Sequence, residues 1–282
     1  MTYFYISGAA ASEPSVFEPN IMRAFKLGRK RPLSRPPMLR LSNYLLRGAT
    51  PPPPVRGDYA GPALNRDGLE NVLHNDTLGC CTISGVGHII DVFHANAGTG
   101  PSVTPDQVLA LYEAACGYNP SDPSTDQGGD EITVLNYWRD RGIDGNGLYK
   151  SAGYVSVNAA DPVELRTAIW LFGNVYWGIE LPDAWVSPFP SASGFTWDVA
   201  GDPNPNNGHC VISYGYNENG PFIDTWGIFG TMTDAACAKY AAGTGGGECY
   251  AILSQDWIKT ATGESPSGFA FAQLQADLAA LA

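Results

Sequence analysis

Cys81, His209 and Asp224 are the residues whose types and chain order could together perform nucleophilic chemistry. Cys81 is the third residue of the run Gly79-Cys80-Cys81-Thr82 and opens an apolar-periodic stretch. Its sulfur is therefore expected at a helix N-terminus, where the positive end of the backbone dipole favours thiolate and draws the thiol pKa toward neutrality. His209 follows the turn-rich stretch 202–208 and begins a segment continuing through Val211 and Ile212, which puts an imidazole at a rigid strand end. Asp224 ends the next such segment, and across a tight hairpin its carboxylate is expected beside His209, accepting the imidazole N–H and fixing the tautomer. Nucleophile, base and orienter in that order describe acyl transfer, with the imidazole holding and returning the proton. Each residue also has a plainer reading: a small buried residue at a helix end, a satisfied strand-end histidine, and a turn aspartate capping its own backbone.

The elements that must position these groups are readable in part. From Cys81 to Ala97, Ile83, Val86, Ile90, Phe93 and Ala97 recur at helical spacing and predict one apolar face. Thr104-Pro105-Asp106-Gln107 has the pattern of a capping box with proline at the first helical position, opening a second helix. A third is predicted over Glu131–Arg141, closed by Gly142, and a fourth runs from the Asp161-Pro162 cap to Phe172. The pattern then turns to strand over 174–181, 208–216, 221–226 and 248–253, with Asn217-Glu218-Asn219-Gly220 read as a four-residue hairpin loop. A helical half followed by a sheet half predicts α+β architecture with a cleft where the two meet. Phe271, Leu274, Leu278 and Leu281, at helical spacing, predict a C-terminal helix covering the core.

Charge divides the chain differently. Its 282 residues and 44% hydrophobic content suit a globular body. Met1 to Arg56 nevertheless holds nine Lys/Arg against only Glu13 and Glu18, a net +7, leaving −19 for the rest of a −12 chain. Arg31-Pro32, Arg35-Pro36-Pro37 and the run Pro51 to Pro54 favour extended backbone that lacks amide donors. Residues 1–54 therefore read as a basic, Pro-rich arm and linker, and 55–282 as the folded domain. Leu39, Leu41, Tyr44, Leu45 and Leu46 are expected to form a short apolar helix that docks on the body or on another protein. An acidic body disfavours nucleic acid and anionic lipid, leaving the arm as the part able to meet either, or the body itself. The patch of Phe4, Tyr5, Ile6 and Ala9 to Ala11 lacks a preceding basic residue and makes a poor export leader, so synthesis in the cytoplasm is expected. No stretch is apolar for long enough to predict a membrane helix. Without an export signal the six cysteines read as free thiols, with Cys237 and Cys249 the best pair under oxidation.

Several motifs in order resemble the papain-like cysteine peptidases over about Val55 to Leu253. The entry motif, a glutamine six residues before the nucleophile followed by small residues and glycines, is similar to Asn75-Asp76-Thr77-Leu78-Gly79-Cys80-Cys81. The wall of the substrate groove resembles Gln127-Gly128-Gly129, and the histidine strand resembles His209 to Tyr216. The asparagine-serine-tryptophan-glycine signature is similar to Asp224-Thr225-Trp226-Gly227. The Cys81-to-His209 gap is close to the roughly 130 to 150 residues of this family. The resemblance implies a two-lobed fold, a helical lobe facing an antiparallel sheet lobe, that cleaves or transfers peptide or amide acyl groups with no cofactor or metal. By the same resemblance Cys81, His209 and Asp224 are catalytic, the Asn75 carboxamide and the Cys81 backbone N–H form the oxyanion hole, Gly128 and Gly129 line the groove, and Trp226 shields the base. Three departures stand out: Asn75 is one methylene shorter than glutamine, Asp224 replaces asparagine, and Thr82 stands where tryptophan is usual.

Other candidates are weaker. Cys80 reads as a spectator ahead of the helix. His88 lies on the face of Cys81 but about 10.5 Å along the axis, and reads as a core or supporting residue. His74 and His94 read as surface residues. Asp122, Asp126, Asp130 and Glu131 fail the calcium-loop spacing, and Gly243 to Gly247 lacks the lysine of a phosphate loop. Besides a peptidase acting on peptides or proteins, two readings stay open. One is a papain-fold binding or structural protein, for example virion-associated, anchored to an assembly by residues 1–54. The other makes the arm an inhibitory propeptide across the acidic body.

Overall fold

The structure, a computed structural model, describes residues 25–32, 38–45, 50–66, 68–254 and 271–281. The apolar patch from Phe4 to Ala11 and residue Leu46 lie outside these.

Helices dominate the first half of the body: α1 (Gly61–Leu64), α2 (Cys81–Ala97), α3 (Pro105–Cys116), α4 (Glu131–Arg141) and α5 (Pro162–Phe172). Their ends follow the local chemistry. Thr104 and Gln107 form the reciprocal capping box at α3, the Asp130 carboxylate accepts the Thr133 N–H at α4, and Asp161 accepts those of Val163 and Glu164 at α5. The spacing in α2 predicts one apolar face, yet every residue from Cys81 to His94 is buried, because the helix lies between the sheet and the other helices. Two glycines allow that approach: a Cβ at Gly85 would sit 3.0 Å from the Tyr176 ring, and one at Gly87 would sit 2.8 Å from Leu73 Cδ1.

Among the described residues eight strands form one mixed, mostly antiparallel sheet: β1 (Gly57–Asp58), β2 (Gly153–Ser156), β3 (Val175–Glu180), β4 (Phe195–Trp197), β5 (Gly208–Asn217), β6 (Gly220–Thr225), β7 (Ile228–Met232) and β8 (Glu248–Leu253). The order is β2-β8-β3-β5-β6-β7-β4, with β1 also pairing with β5, and only β4 and β7 run parallel. Side chains alternate between two cores. Cys210, Ile212 and Tyr176 pack toward α2, whereas Val211, Trp177, Ile179 and Ile223 pack toward α5 on the other face. The expected four-residue loop between β5 and β6 is shorter, because Asn217 already pairs with Gly220 and leaves only Glu218 and Asn219 in the turn. Gly220, at φ 143°, supplies the backbone this needs.

The described part of the arm is docked on the body. In place of an apolar helix there is one 3-10 turn at Leu41–Asn43, whose Leu41, with Tyr44, enters the core also reached by Leu274 and Leu278 of the C-terminal helix Phe271–Leu281. The Tyr44 hydroxyl donates to Asp277 Oδ2 at 2.8 Å. Among the described residues no helix is long and apolar enough to cross a membrane. All six cysteines are free thiols.

Candidate active site

Cys81 is the first residue of α2, and residues 74–80 before it form a turn-rich loop rather than a helix. Asp126 holds that loop: its Oδ1 accepts the Gly79 N–H at 3.0 Å and the Tyr112 hydroxyl at 2.7 Å, and its other oxygen pairs with Lys26. In the sequence Asp126 reads only as a failed metal ligand, since nothing local marks a carboxylate as the brace of a distant loop.

The Cys81 sulfur is buried, and the thiol is pushed up to about 12, not toward neutrality as its helix position predicts. Burial is the dominant cause. The backbone amides of Cys210 and Gly28 point at the sulfur and pull the other way, but they do not outweigh the lost water. The Cys210 contact brings the start of β5, and so the neighbour of His209, against the head of α2. Cys80 is turned away, with its sulfur 3.4 Å from Ser84 Oγ and 3.7 Å from the Leu73 carbonyl.

His209 is buried, with Nε2 2.7 Å from Thr225 Oγ1 and the ring stacked on Trp226 at 4.4 Å between centroids. Its Nδ1 has no partner among the described residues. Burial alone drives its pKa down to about 3, which keeps the imidazole neutral.

Asp224 does not meet His209. The β5–β6 register sets Asp224 opposite Ile212, a position of the other pleat parity from His209, so its carboxylate emerges on the α2 face. There its Oδ2 lies 2.9 Å from Nδ1 of His88, whose Nε2 is 2.8 Å from the Asn71 carbonyl. Thr225, one residue on, emerges on the His209 side, where its hydroxyl meets Nε2 of that ring. Burial would neutralise His88, yet the adjacent Asp224 carboxylate outweighs it and raises the imidazole to about 9. Asp91 borders this pair; its Oδ1 accepts the Val103 N–H at 2.6 Å, and burial lifts its pKa to about 7. His94, read from sequence as a surface residue, is buried and bonds the Pro101 carbonyl through Nδ1 at 3.0 Å.

Asn75 is buried six positions before Cys81, and its Oδ1 lacks a partner among the described residues. Gly128 and Gly129 precede α4 and face the arm. Gly129 N–H donates to the Gly28 carbonyl at 3.0 Å, Lys30 N–H donates to the Gly129 carbonyl at 2.9 Å, and Arg29 N–H donates to the Gly208 carbonyl at 3.1 Å. Arg29 and Gly129 thus form a parallel bridge. A Cβ at Gly128 would fall 1.8 Å from the Gly28 carbonyl oxygen, so the wall must be bare backbone. Trp226 stacks on Phe25 of the arm at 4.5 Å. Gly129 thus meets residues 25–31 through backbone hydrogen bonds, Trp226 meets Phe25 through its ring and His209 stacks on Trp226, whereas no hydrogen bond joins Cys81 to His209 among the described residues. Among the described residues no group of three or more His, Cys, Asp or Glu side chains could hold a metal ion.

No family model matches the chain, and no curated protein matches it. Solved structures do. Xylellain, a cysteine protease from Xylella fastidiosa, superposes with TM-score 0.61 at 13% identity over 85% of this chain and 99% of that one. A digestive procathepsin L2 proteinase from the larval midgut of Tenebrio molitor gives 0.54 at 16% identity over 84% and 81%. The cysteine protease and lectin-like domains of Cwp84 from Clostridium difficile give 0.52 at 14% identity over 74% and 54%. The chain has a divergent papain-like fold.

Proposed function

We propose that the protein is a papain-type thiol peptidase whose groove is closed by residues 25–31 of its own arm. The observation that carries this reading is the peptide already lying beside the sulfur, bonded through its backbone to Gly129 and Gly208 on the two sides of the groove. A groove that holds extended backbone at a helix-head cysteine has the geometry of peptide-bond chemistry.

In the open enzyme the Cys81 thiolate adds to the carbonyl carbon, and the carbonyl electron pair moves to an oxygen held by the Cys81 N–H and the Asn75 carboxamide. One such donor contributes about 2.7 to 4 kcal/mol to the transition state. His209 takes the thiol proton and delivers it to the departing amine; water, deprotonated by the same imidazole, then cleaves the thioester and restores the thiol. Thr225 positions the ring, and Trp226 excludes water from the pair. With the arm in place the chemistry is off, because a thiol lifted by burial cannot give its proton to an imidazole depressed by burial. The arm thus acts as an inhibitory segment, a reading supported by its ion pairs with the body: Lys26 with Asp126, Arg29 with Glu131 and Glu248, and Arg31 with Glu180. The likeness to a procathepsin, a precursor by its description, is in keeping with it.

The test is an epoxysuccinyl peptide electrophile applied to the full chain, with the adduct located by mass spectrometry. Labelling at Cys81 is expected to accelerate roughly tenfold or more when Arg29→Ala loosens the arm, and to be lost in Cys81→Ala and suppressed in His209→Ala. Equal labelling of several cysteines, with no dependence on His209, would remove the peptidase reading.

A further inference from the structure

The Arg29 side chain does not lie along the groove but enters a hole in its wall. The guanidinium is buried, with Nε 3.2 Å from both oxygens of Glu131, Nη1 3.0 Å from the Gly246 carbonyl and 3.7 Å from Glu180 Oε1, and Nη2 bonded to Glu248. All of these partners belong to the body. Glu131 opens α4, Glu180 ends β3 and Glu248 begins β8, so three separate elements converge on one cation. The floor is Gly178, where a Cβ would lie 2.1 Å from Glu131 Oε1 and 2.6 Å from Arg29 Nε; the depth needed for a guanidinium exists because that residue has no side chain.

Three buried carboxylates around one hole are unfavourable unless a cation or a proton is present. Burial raises Glu131 well above the ordinary carboxylate range, while Glu248, for which burial acts in the same direction, is held below its ordinary value by hydrogen bonds from Glu131 and Tyr250 and by the charge of Arg29. Once Arg29 leaves, the negative charge that it balances is left for a ligand. The donors used are spread over the planar fork of the guanidinium, a geometry that a lysine ammonium cannot reproduce.

We propose that this pocket, once the arm leaves, selects substrates by an arginine side chain next to the residue at the sulfur, Arg29 being the internal stand-in for that side chain. The inference rests on the peptidase reading for its use of the word substrate, but the pocket itself is testable without catalysis. Gly28 lies at the Cys81 sulfur and Arg29 is its neighbour, so the pocket reads a position adjacent to the reacting bond.

The experiment uses the full chain carrying Arg29→Met, which empties the charge site while keeping an apolar stem to pack; Arg29→Ala serves as a second variant. Thermal melting with millimolar propylguanidine is compared with butylamine of similar length. Propylguanidine is expected to raise Tm by saturable binding, butylamine to do so far less, and the added change Glu131→Gln with Glu248→Gln to abolish the difference. The same variant is offered a fluorogenic peptide mixture with every residue at each of three positions before the labelled bond. Arginine at one position is expected to exceed leucine on the order of a hundredfold in kcat/KM, falling below tenfold in the double glutamine variant. Turnover without an arginine preference, or no difference between the two small cations, overturns the pocket assignment and leaves the peptidase reading standing. Guanidine binding that depends on the two glutamates, with no turnover of any peptide, upholds the pocket and defeats the peptidase reading.

Discussion

Two buried imidazoles on either side of one sheet are shifted in opposite directions, and the difference lies chiefly in one neighbouring carboxylate. His88, on the α2 face, has the Asp224 carboxylate at 2.9 Å and is raised to about 9. His209, on the other face, has a threonine hydroxyl at 2.7 Å and is lowered to about 3. Both lie out of water, so burial alone cannot account for the contrast. A carboxylate stabilises the imidazolium, whereas a neutral hydroxyl fixes the ring and leaves its charge to the surroundings. The first arrangement favours the charged ring and the second the neutral one.

The largest effect expected from this contrast is on the acid side. The folded pKa of His209 is below its ordinary value, so the stability it lends is present above about pH 6.5 and is lost as pH falls toward 3, on the order of 5 kcal/mol in all. Urea unfolding of His209→Gln against wild type over that range should show the wild-type curve falling more steeply; parallel curves would mean that the imidazole is charged or hydrated in the folded protein. Next comes Asp224→Ala, which leaves a buried imidazolium unpaired and should destabilise by about 3 to 5 kcal/mol near pH 6. The same variant should leave the rate of Cys81 labelling, measured with the arm loosened by Arg29→Ala, within about twofold, because Asp224 does not orient His209. A large loss of labelling with intact folding would restore Asp224 as the orienter.

The alkaline limb is smaller and of opposite sign. His88 is raised above its ordinary value, so its contribution is full below about pH 6.5 and is lost as pH climbs through about 9, on the order of 3 kcal/mol. His88→Asn should flatten that limb in the same unfolding measurement and leave the acid limb unchanged. The smallest effect belongs to Thr225→Val, which removes one hydrogen bond to His209: about 1 kcal/mol in stability and on the order of tenfold in Cys81 labelling with the arm loosened. Labelling unchanged by Thr225→Val would show that the ring needs no orienter.

Much of this architecture is legible in local patterns. The spacing from Ile83 to Ala97 marks α2, and Thr104 with Gln107 marks the head of α3, because caps and apolar periods are properties of adjacent residues. The pairing of Asp224 is not legible in that way. Being one residue away from the correct position reverses the face of a strand, and only the register against Ile212 decides it. Strand β4 is three residues long and borrows its partner from β7, more than thirty positions later, so no window around Phe195 contains its cause. The path of residues 25–31 has no period of its own and is dictated by the groove. The charge imbalance of +7 against −19 is the one trace of it in the sequence, and it points to attraction without giving the place.

Gly28 crosses the cysteine where the clearance is that of naked main chain. An ideal Cβ there would lie 1.9 Å from the Gly79 carbonyl oxygen, and the opposite bank at Gly128 comes equally close to the Gly28 carbonyl. The passage therefore works as a gauge of side-chain width. Adding one methyl group to this strap is the smallest alteration able to lift it, and a chain threaded here with alanine in that place would ride high enough to admit solvent to the sulfur.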